Sequence, residues 1–301
     1  MRSIFLAAAI AALAPAPAGA QAAAPAAPAV RTMTCPIGGG SFPFTAVAPP
    51  LVTGERPDGR PYGNVAFPIR LPECPDNGLV LYKDYDAGEV AKLEPLIASE
   101  AYRALGKETQ YYRAYWLMRE MGLGPERYLW ALLQASWEAE GQPELRKRYL
   151  AELAEASAKV PPRPADLAWI GMEGRAINAL RELGRFDEAM ARLEKVPLAR
   201  LQASAAGAAA TPQAKSRRGW LAFFAKIKPA IQRRDSSLDP LDLLPRSVAV
   251  GKCLDQAGKL DDAGRAFCEK EATAIAALRA SRDKAAKETE ALGKSREASG
   301  R

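Results

Sequence analysis

Four cysteines and no histidine set the chemistry open to this 301-residue chain. Cys35 and Cys74 each open a tight turn, Cys35-Pro-Ile-Gly-Gly and Cys74-Pro-Asp-Asn-Gly. Two thiolates alone cannot close a tetrahedral structural zinc site, and there is no imidazole to complete it. Oxidation is the other course. An even cysteine count behind an export signal predicts a Cys35–Cys74 disulfide, worth about 2–4 kcal/mol over such a loop. Two buried free thiols, or pairing with other cysteines, are the alternatives. Cys253 and Cys268 lie either side of Gly258 on helix-patterned runs. A second bridge between them stands beside the reading of two buried thiols.

The lack of histidine removes Ser-His-Asp and Cys-His nucleophiles along with imidazole zinc sites. Carboxylate-only chemistry such as glycoside hydrolysis survives, and would need two acidic residues facing one another in a cleft. The acidic pairs Asp187-Glu188 and Asp261-Asp262 sit where first helical turns begin, which the helix dipole explains without catalysis. Tyr111, Tyr112, Tyr115, Trp116, Trp130 and Trp137 recur at helical spacing, so they read as core rather than as a sugar-stacking platform. No nucleotide loop, metal cluster or nucleophile arrangement is present, and no cofactor is expected.

These groups need a framework, and the chain divides readily. Met1-Arg-Ser, the apolar run Ile4–Ala14 and Ala18-Gly-Ala20 make residues 1–20 a secretory signal peptide. Residues 21–30 are an Ala/Pro linker with nothing to pack. Residues 31–85 carry dense turn-formers, Pro57-Asp-Gly-Arg-Pro-Tyr-Gly63 among them, between short β-prone runs. They predict a small cysteine-containing β/loop module that needs a staple. Residues 86–283 are helix-patterned, with breaks at Gly122–Pro125, Gly141–Pro143, Pro161–Pro164, Gly184 and Pro240. Ala203–Lys215 reads as a connector, with a frayed helix as the alternative. Residues 284–301 form a charged tail expected to fray. The formal charge is +7. It favours acidic partners or anionic surfaces at long range, and export argues against nucleic acid.

Leu183-Gly-Arg-Phe-Asp-Glu-Ala189 and Ala257-Gly-Lys-Leu-Asp-Asp-Ala263 each combine a helix end, a glycine turn and a new helix with a small inner residue. They resemble tetratricopeptide-repeat hairpins. The resemblance runs through Gly184, Phe186, Ala189 and Leu193, and through Gly251, Leu254, Gly258, Leu260, Ala263 and Phe267. The large aromatic usual early in the first helix is missing at Glu173 and Ser247. The resemblance implies a mainly α fold, with antiparallel helical hairpins stacked as a solenoid behind the N-terminal β module. It places Asn178, Arg181 and Lys252 toward a groove, where they could grip a peptide carboxylate or acidic segment.

The Cys35-Pro36 and Cys74-Pro75 turns also look like zinc-ribbon Cys-Pro-x-Cys-Gly knuckles whose second cysteines have become Gly38 and Asn77. Together with Ala135-Ser-Trp137, Glu140-Gly141 and the later hairpins, they are similar to an uncharacterised bacterial zinc-ribbon-plus-helical-repeat family. The lost cysteines keep zinc from being carried over. The leading expectation is a periplasmic or secreted, non-enzymatic scaffold that binds a peptide or helix of an envelope partner. One alternative is contact with anionic lipid through residues 215–234, where Trp220, Phe224, Ile227 and Ile231 form a stripe in a basic run. Docking of that stripe into the repeat core is the competing, favoured reading. A carboxylate-dependent cell-wall hydrolase is the other alternative.

Overall fold

The computed structural model describes residues 29–206 and 211–299. The proposed signal peptide and the linker up to Pro28 lie outside the described residues. The chain is mainly helical, with two small antiparallel sheets near its start. Strands β1 (Ala29–Thr34) and β2 (Ser41–Ala46) form one sheet, and β3 (Val52–Glu55) and β4 (Pro61–Gly63) the other. Ala29 and Val30 therefore belong to a strand, paired with Ala46 and Thr45, and not to the linker.

Cys35 and Cys74 are bonded, with Cα atoms 5.6 Å apart. Their two turns close alike, Cys35 N donating to Gly40 O and Cys74 N to Leu79 O. Asn77, where a second knuckle cysteine is missing, donates from Nδ2 to Ile37 O at 3.1 Å and ties one turn to the other. The disulfide is buried beside Leu79 and Leu81 of the module and Leu93, Ile97, Tyr102 and Leu117 of the first helices. Those helices are α1 (Ala87–Ala98), α2 (Glu100–Ala104) and α3 (Gln110–Glu120). The module's core thus runs across the boundary drawn at residue 85.

Local signals account for where helices start and stop. Asp86 and Glu89 cap α1 reciprocally, each side chain accepting from the other's backbone N–H. Helices α4 (Pro125–Glu138) and α5 (Pro143–Ala158) begin on proline, which gives up an N–H that no helix uses. Helix α6 (Leu167–Glu182) ends at Gly184, whose φ of +74° suits a residue without Cβ. There Gly184 N donates to Arg181 O and Arg185 N to Leu180 O. Helix α7 (Phe186–Leu193) then buries Phe186, Ala189 and Leu193.

The second matched hairpin is built differently. Gly258 lies in a short 3-10 turn, 257–259, between α10 (Arg246–Asp255) and α11 (Asp262–Lys270). Ala263 and Phe267 are only half-buried. A Cys253–Cys268 disulfide, Cα to Cα 5.6 Å, holds this pair. At the missing aromatic of the first hairpin, Glu173 pairs instead with Arg192 of α7, which also donates to Ala154 O of α5.

Two expectations need correction. Ala203–Lys215 is not a connector over most of its length: α8 (Leu198–Ala206) and α9 (Pro212–Gln232) take up all but a few of its residues. Thr211 caps α9 by accepting from Ala214 N. The described part of the tail, residues 284–299, is helical where the sequence suggests fraying. α12 (Ala272–Ser299) continues through them, built from strong helix formers such as Ala, Lys, Glu and Arg. Its start packs on α10 and α11.

Helix α9 carries the basic stripe. Phe224, Ile227 and Ile231 are fully buried against α6, α7 and α8, while Lys226 and Lys228 face water. Withdrawing those three side chains to meet a membrane would cost roughly 5–9 kcal/mol of burial. Trp220 settles on the glycine face of α6, where a Cβ on Gly174 would come within 2.7 Å of its ring. The stripe belongs to the core.

Candidate functional site

The loop between β3 and β4 does not pack within its own module. It reaches across to α5, α6 and the segment after α9, and places Asp58, 1 % exposed, among arginines. Asp58 first shapes its own turn by accepting from Arg60 N at 3.0 Å. Gly59 follows at φ +87°, and a Cβ there would lie 2.6 Å from Arg175 Nε. Only glycine fits both the backbone and the space.

Two helix arginines hold the turn. Arg146 of α5 points Nη2 at Asp58 Oδ2 (3.2 Å) and Glu182 Oε2 (2.5 Å), and donates from Nη1 to Ser136 O at 2.7 Å. Arg175 of α6 donates to Pro57 O at 2.8 Å and to Glu55 Oε2 at 2.7 Å. Its guanidinium is aimed by Trp220 and Phe223, whose ring centres lie 4.9 and 5.6 Å away. The turn answers with cations of its own. Arg56 meets Glu140 at 3.0 Å and Asp239 at 3.3 Å, and Arg60 also contacts Glu140.

Charge here is taken out of water and matched locally. Burial lowers the pKa of Arg175, while the nearby carboxylates Glu55 and Asp58 act in the opposite sense. Burial raises that of Glu182, Arg146 acts against the rise, and repulsion from the nearby Asp58 adds to it. Tyr62, on β4, is pushed up to about 12 by burial and by Asp239. The matching is incomplete. Arg56 Nε and Nη2, Tyr62 Oη and Asp239 Oδ1 are buried and make no hydrogen bond among the described residues.

The three groove candidates fall in or beside this network, and two of them, Asn178 and Arg181, are buried rather than groove-lining. Asn178 and Arg181 are 1 % and 0 % exposed. Asn178 donates to Glu182 at 2.8 Å and accepts from Arg181 Nε at 3.0 Å. Arg181 Nη1 then donates to the carbonyls of Asp235 and Ser237, tying α6 to the segment after α9. They are structural because the loops cover them. Lys252 differs: it is 24 % exposed, bound to Asp239 at 2.5 Å, and stands on the wall of an open cleft of about 530 Å³. Leu260 and Phe267 supply apolar lining, and Lys259 and Lys270 stand among the cleft's cations.

The sequence reading passed over Asp58, Arg146 and Arg175. A signal existed. Arg146 falls on the stripe of Tyr149, Leu150 and Leu153, and Arg175 stands between Gly174 and Ala176 in a helix with Ile170, Ile177 and Leu180, so both arginines are candidates for core positions. A buried arginine needs a carboxylate, and the Pro57-Asp-Gly turn is a good donor of one.

All four cysteines are bonded, and among the described residues no cluster of acidic or cysteine side chains could hold a metal ion. Of the described helices, none is long and apolar enough to cross a membrane. Asp58 and Glu182 do approach one another around Arg146, but in a sealed interior where no glycan could reach. The chain matches no protein-family model, no curated protein and no solved structure.

Proposed function

We propose that the chain is an exported, non-catalytic interaction scaffold whose helices stack in a tetratricopeptide-like manner and hold a segment of an envelope protein. One observation carries this reading: the helices already hold a polar, irregular segment, through Arg175 on its Pro57 carbonyl and Arg146 on its Asp58 carboxylate. Arginines placed to take a backbone carbonyl and a carboxylate together are the equipment of peptide recognition. The cleft beside Lys252 adjoins this site through Asp239, which lines the cleft and pairs with both Arg56 and Lys252. Two disulfides support an oxidising compartment, periplasmic or secreted.

The other readings have less to stand on. Lipid binding through residues 215–234 would have to use a stripe that the core has taken. A carboxylate hydrolase would need its acids in the open, and the pair around Arg146 is buried.

Photo-crosslinking residues installed at Lys259 and Lys270, with Trp130 as a distant exposed control, test the scaffold reading in the native envelope. The expected result is one discrete adduct from the cleft positions and none from position 130. Identical labelling at all three positions, or none at any, would refute it.

A further inference from the structure

We infer that the Glu55–Arg60 turn is an internal ligand: it fills a binding site for a charge-alternating, proline-containing turn, and a partner segment of the same chemistry displaces it. This rests on the scaffold reading and specifies the class of segment bound.

The site reads its occupant at four places. Arg175 takes a main-chain carbonyl and the Glu55 carboxylate, and Arg146 takes Asp58. Glu140 takes the two flanking arginines, and Asp239 pairs with Arg56 from the other side. Acid and base are thus alternately recognised along Glu55-Arg-Pro-Asp-Gly-Arg60. The contact at Gly59 requires a residue without a side chain between them.

Three features make the occupant exchangeable. Its strands are short, four and three residues in a two-stranded sheet, which is marginal on its own. The lead-in is exposed, with Leu51 at 67 % and Val52 at 48 %. The seam is also imperfect: Tyr62 Oη is buried without a hydrogen bond, and Arg56 meets Asp239 and Asp58 only as ion pairs at 3.3 and 3.5 Å from Nε and Nη2, outside good hydrogen-bond geometry. An empty site would strand Arg175, whose carboxylate partner Glu55 and carbonyl partner Pro57 both belong to the turn, as a buried, unpaired charge, which is costly. An incoming turn of the same charge order avoids that cost. The site therefore resists vacancy while tolerating exchange, and covalent attachment gives the resident turn an effective concentration on the order of millimolar.

The test needs no knowledge of the natural partner. A fluorescein-labelled peptide of residues 52–63 is titrated into the full chain and into a Glu55→Gln, Asp58→Asn variant, whose own turn is weakened. Anisotropy is expected to show binding to the variant at least tenfold tighter than to the unmodified chain. The same peptide carrying the Asp58→Asn change is expected to lose that affinity. No binding to a folded variant, or equal binding to both chains, overturns the inference.

Should the variant not fold, hydrogen exchange on the unmodified chain decides. Segment 52–63 is expected to exchange faster than α5 and α6, and to lose protection further when unlabelled peptide is added. Exchange at the rate of α5 and α6, unmoved by peptide, is the opposing result. A failed peptide test alongside a discrete cleft crosslink would sink this inference alone.

Discussion

Asp58 and Arg146, 88 residues apart in the chain, meet at 3.2 Å in the interior. One sits in a turn of the N-terminal region and the other on the inward stripe of α5, so a single ion pair joins parts that look separable in the sequence. Arg146 is shared with Glu182, and Glu182 with Asn178 and then Arg181. The chain of contacts runs on to the Asp235 and Ser237 carbonyls. The β3–β4 turn, α5, α6 and the segment after α9 are one polar unit.

Replacing Asp58 therefore leaves the buried Arg146 with Glu182 as its remaining carboxylate partner. Asp58→Ala is expected to lower the unfolding free energy by about 1–3 kcal/mol, since Arg146 and the Arg60 N–H each lose an acceptor within the interior. Asp58→Asn should cost less, because an amide oxygen still accepts from Arg60 N. Urea denaturation of the two variants checks this. Equal and small losses would mean that the pair is not buried as described.

Gly174 gives a prediction in which two effects oppose. Alanine is the better helix former by about 1 kcal/mol. Its Cβ, however, would come within 2.7 Å of the Trp220 ring, and overpacking costs typically 1–3 kcal/mol. Packing should win, so Gly174→Ala lowers the thermal midpoint. Adding Trp220→Leu to Gly174→Ala should then cost less than Trp220→Leu alone. Additive losses would show that α6 and α9 do not meet there.

How much of this was legible beforehand follows from the range of the interactions. Local grammar carried far: Gly184, Pro125, Pro143 and the Asp86–Glu89 box set helix ends through contacts a few residues apart. The Cys35–Cys74 disulfide was within reach from the even cysteine count and the expected export, whereas Cys253–Cys268 stood level with two buried thiols until the structure paired them. The alternation of Trp220, Phe224, Ile227 and Ile231 also pointed to burial. What escaped was long-range and polar. Nothing within ten residues of Asp58 says that it will meet Arg146, and Asn178 looks like a solvated position until loops from elsewhere cover it. Residues 285–292 of the tail are exposed, and their composition of strong helix formers supports the helix.

Acid should loosen the N-terminal module at one identifiable carboxylate. Burial alone would raise the pKa of Glu73, but hydrogen bonds from Arg113 and Gln110 outweigh it and hold Glu73 below its ordinary value of 4.5. Arg113 Nη2 lies 2.7 Å away on α3. A depressed carboxylate contributes stability that is present above its unfolded value and lost as pH falls through the folded one. Protection of the module's amides should decline below about pH 4.5 in the native chain. Glu73→Gln should lower it at neutral pH and flatten that acid step. An unchanged acid profile in the variant would assign the loosening to other groups.

The two disulfides should be separable by what each one restrains. Cys253–Cys268 closes a 15-residue separation and Cys35–Cys74 one of 39. Loop-entropy reasoning gives about 3 and about 4 kcal/mol respectively, a modest difference. Location distinguishes them better. The paired change Cys253→Ser, Cys268→Ser frees α10 from α11 around the exposed turn at Lys259, so trypsin should cut there sooner while the N-terminal core stays protected. Cys35→Ser with Cys74→Ser instead releases the turns that bury Leu79 against Leu93 and Leu117, and should raise exchange in α1 and α3 without affecting cleavage at Lys259. Limited proteolysis and hydrogen exchange on both pairs read this out. If removing either bridge exposed both regions equally, the two ends would unfold as one unit and the local assignments would be wrong.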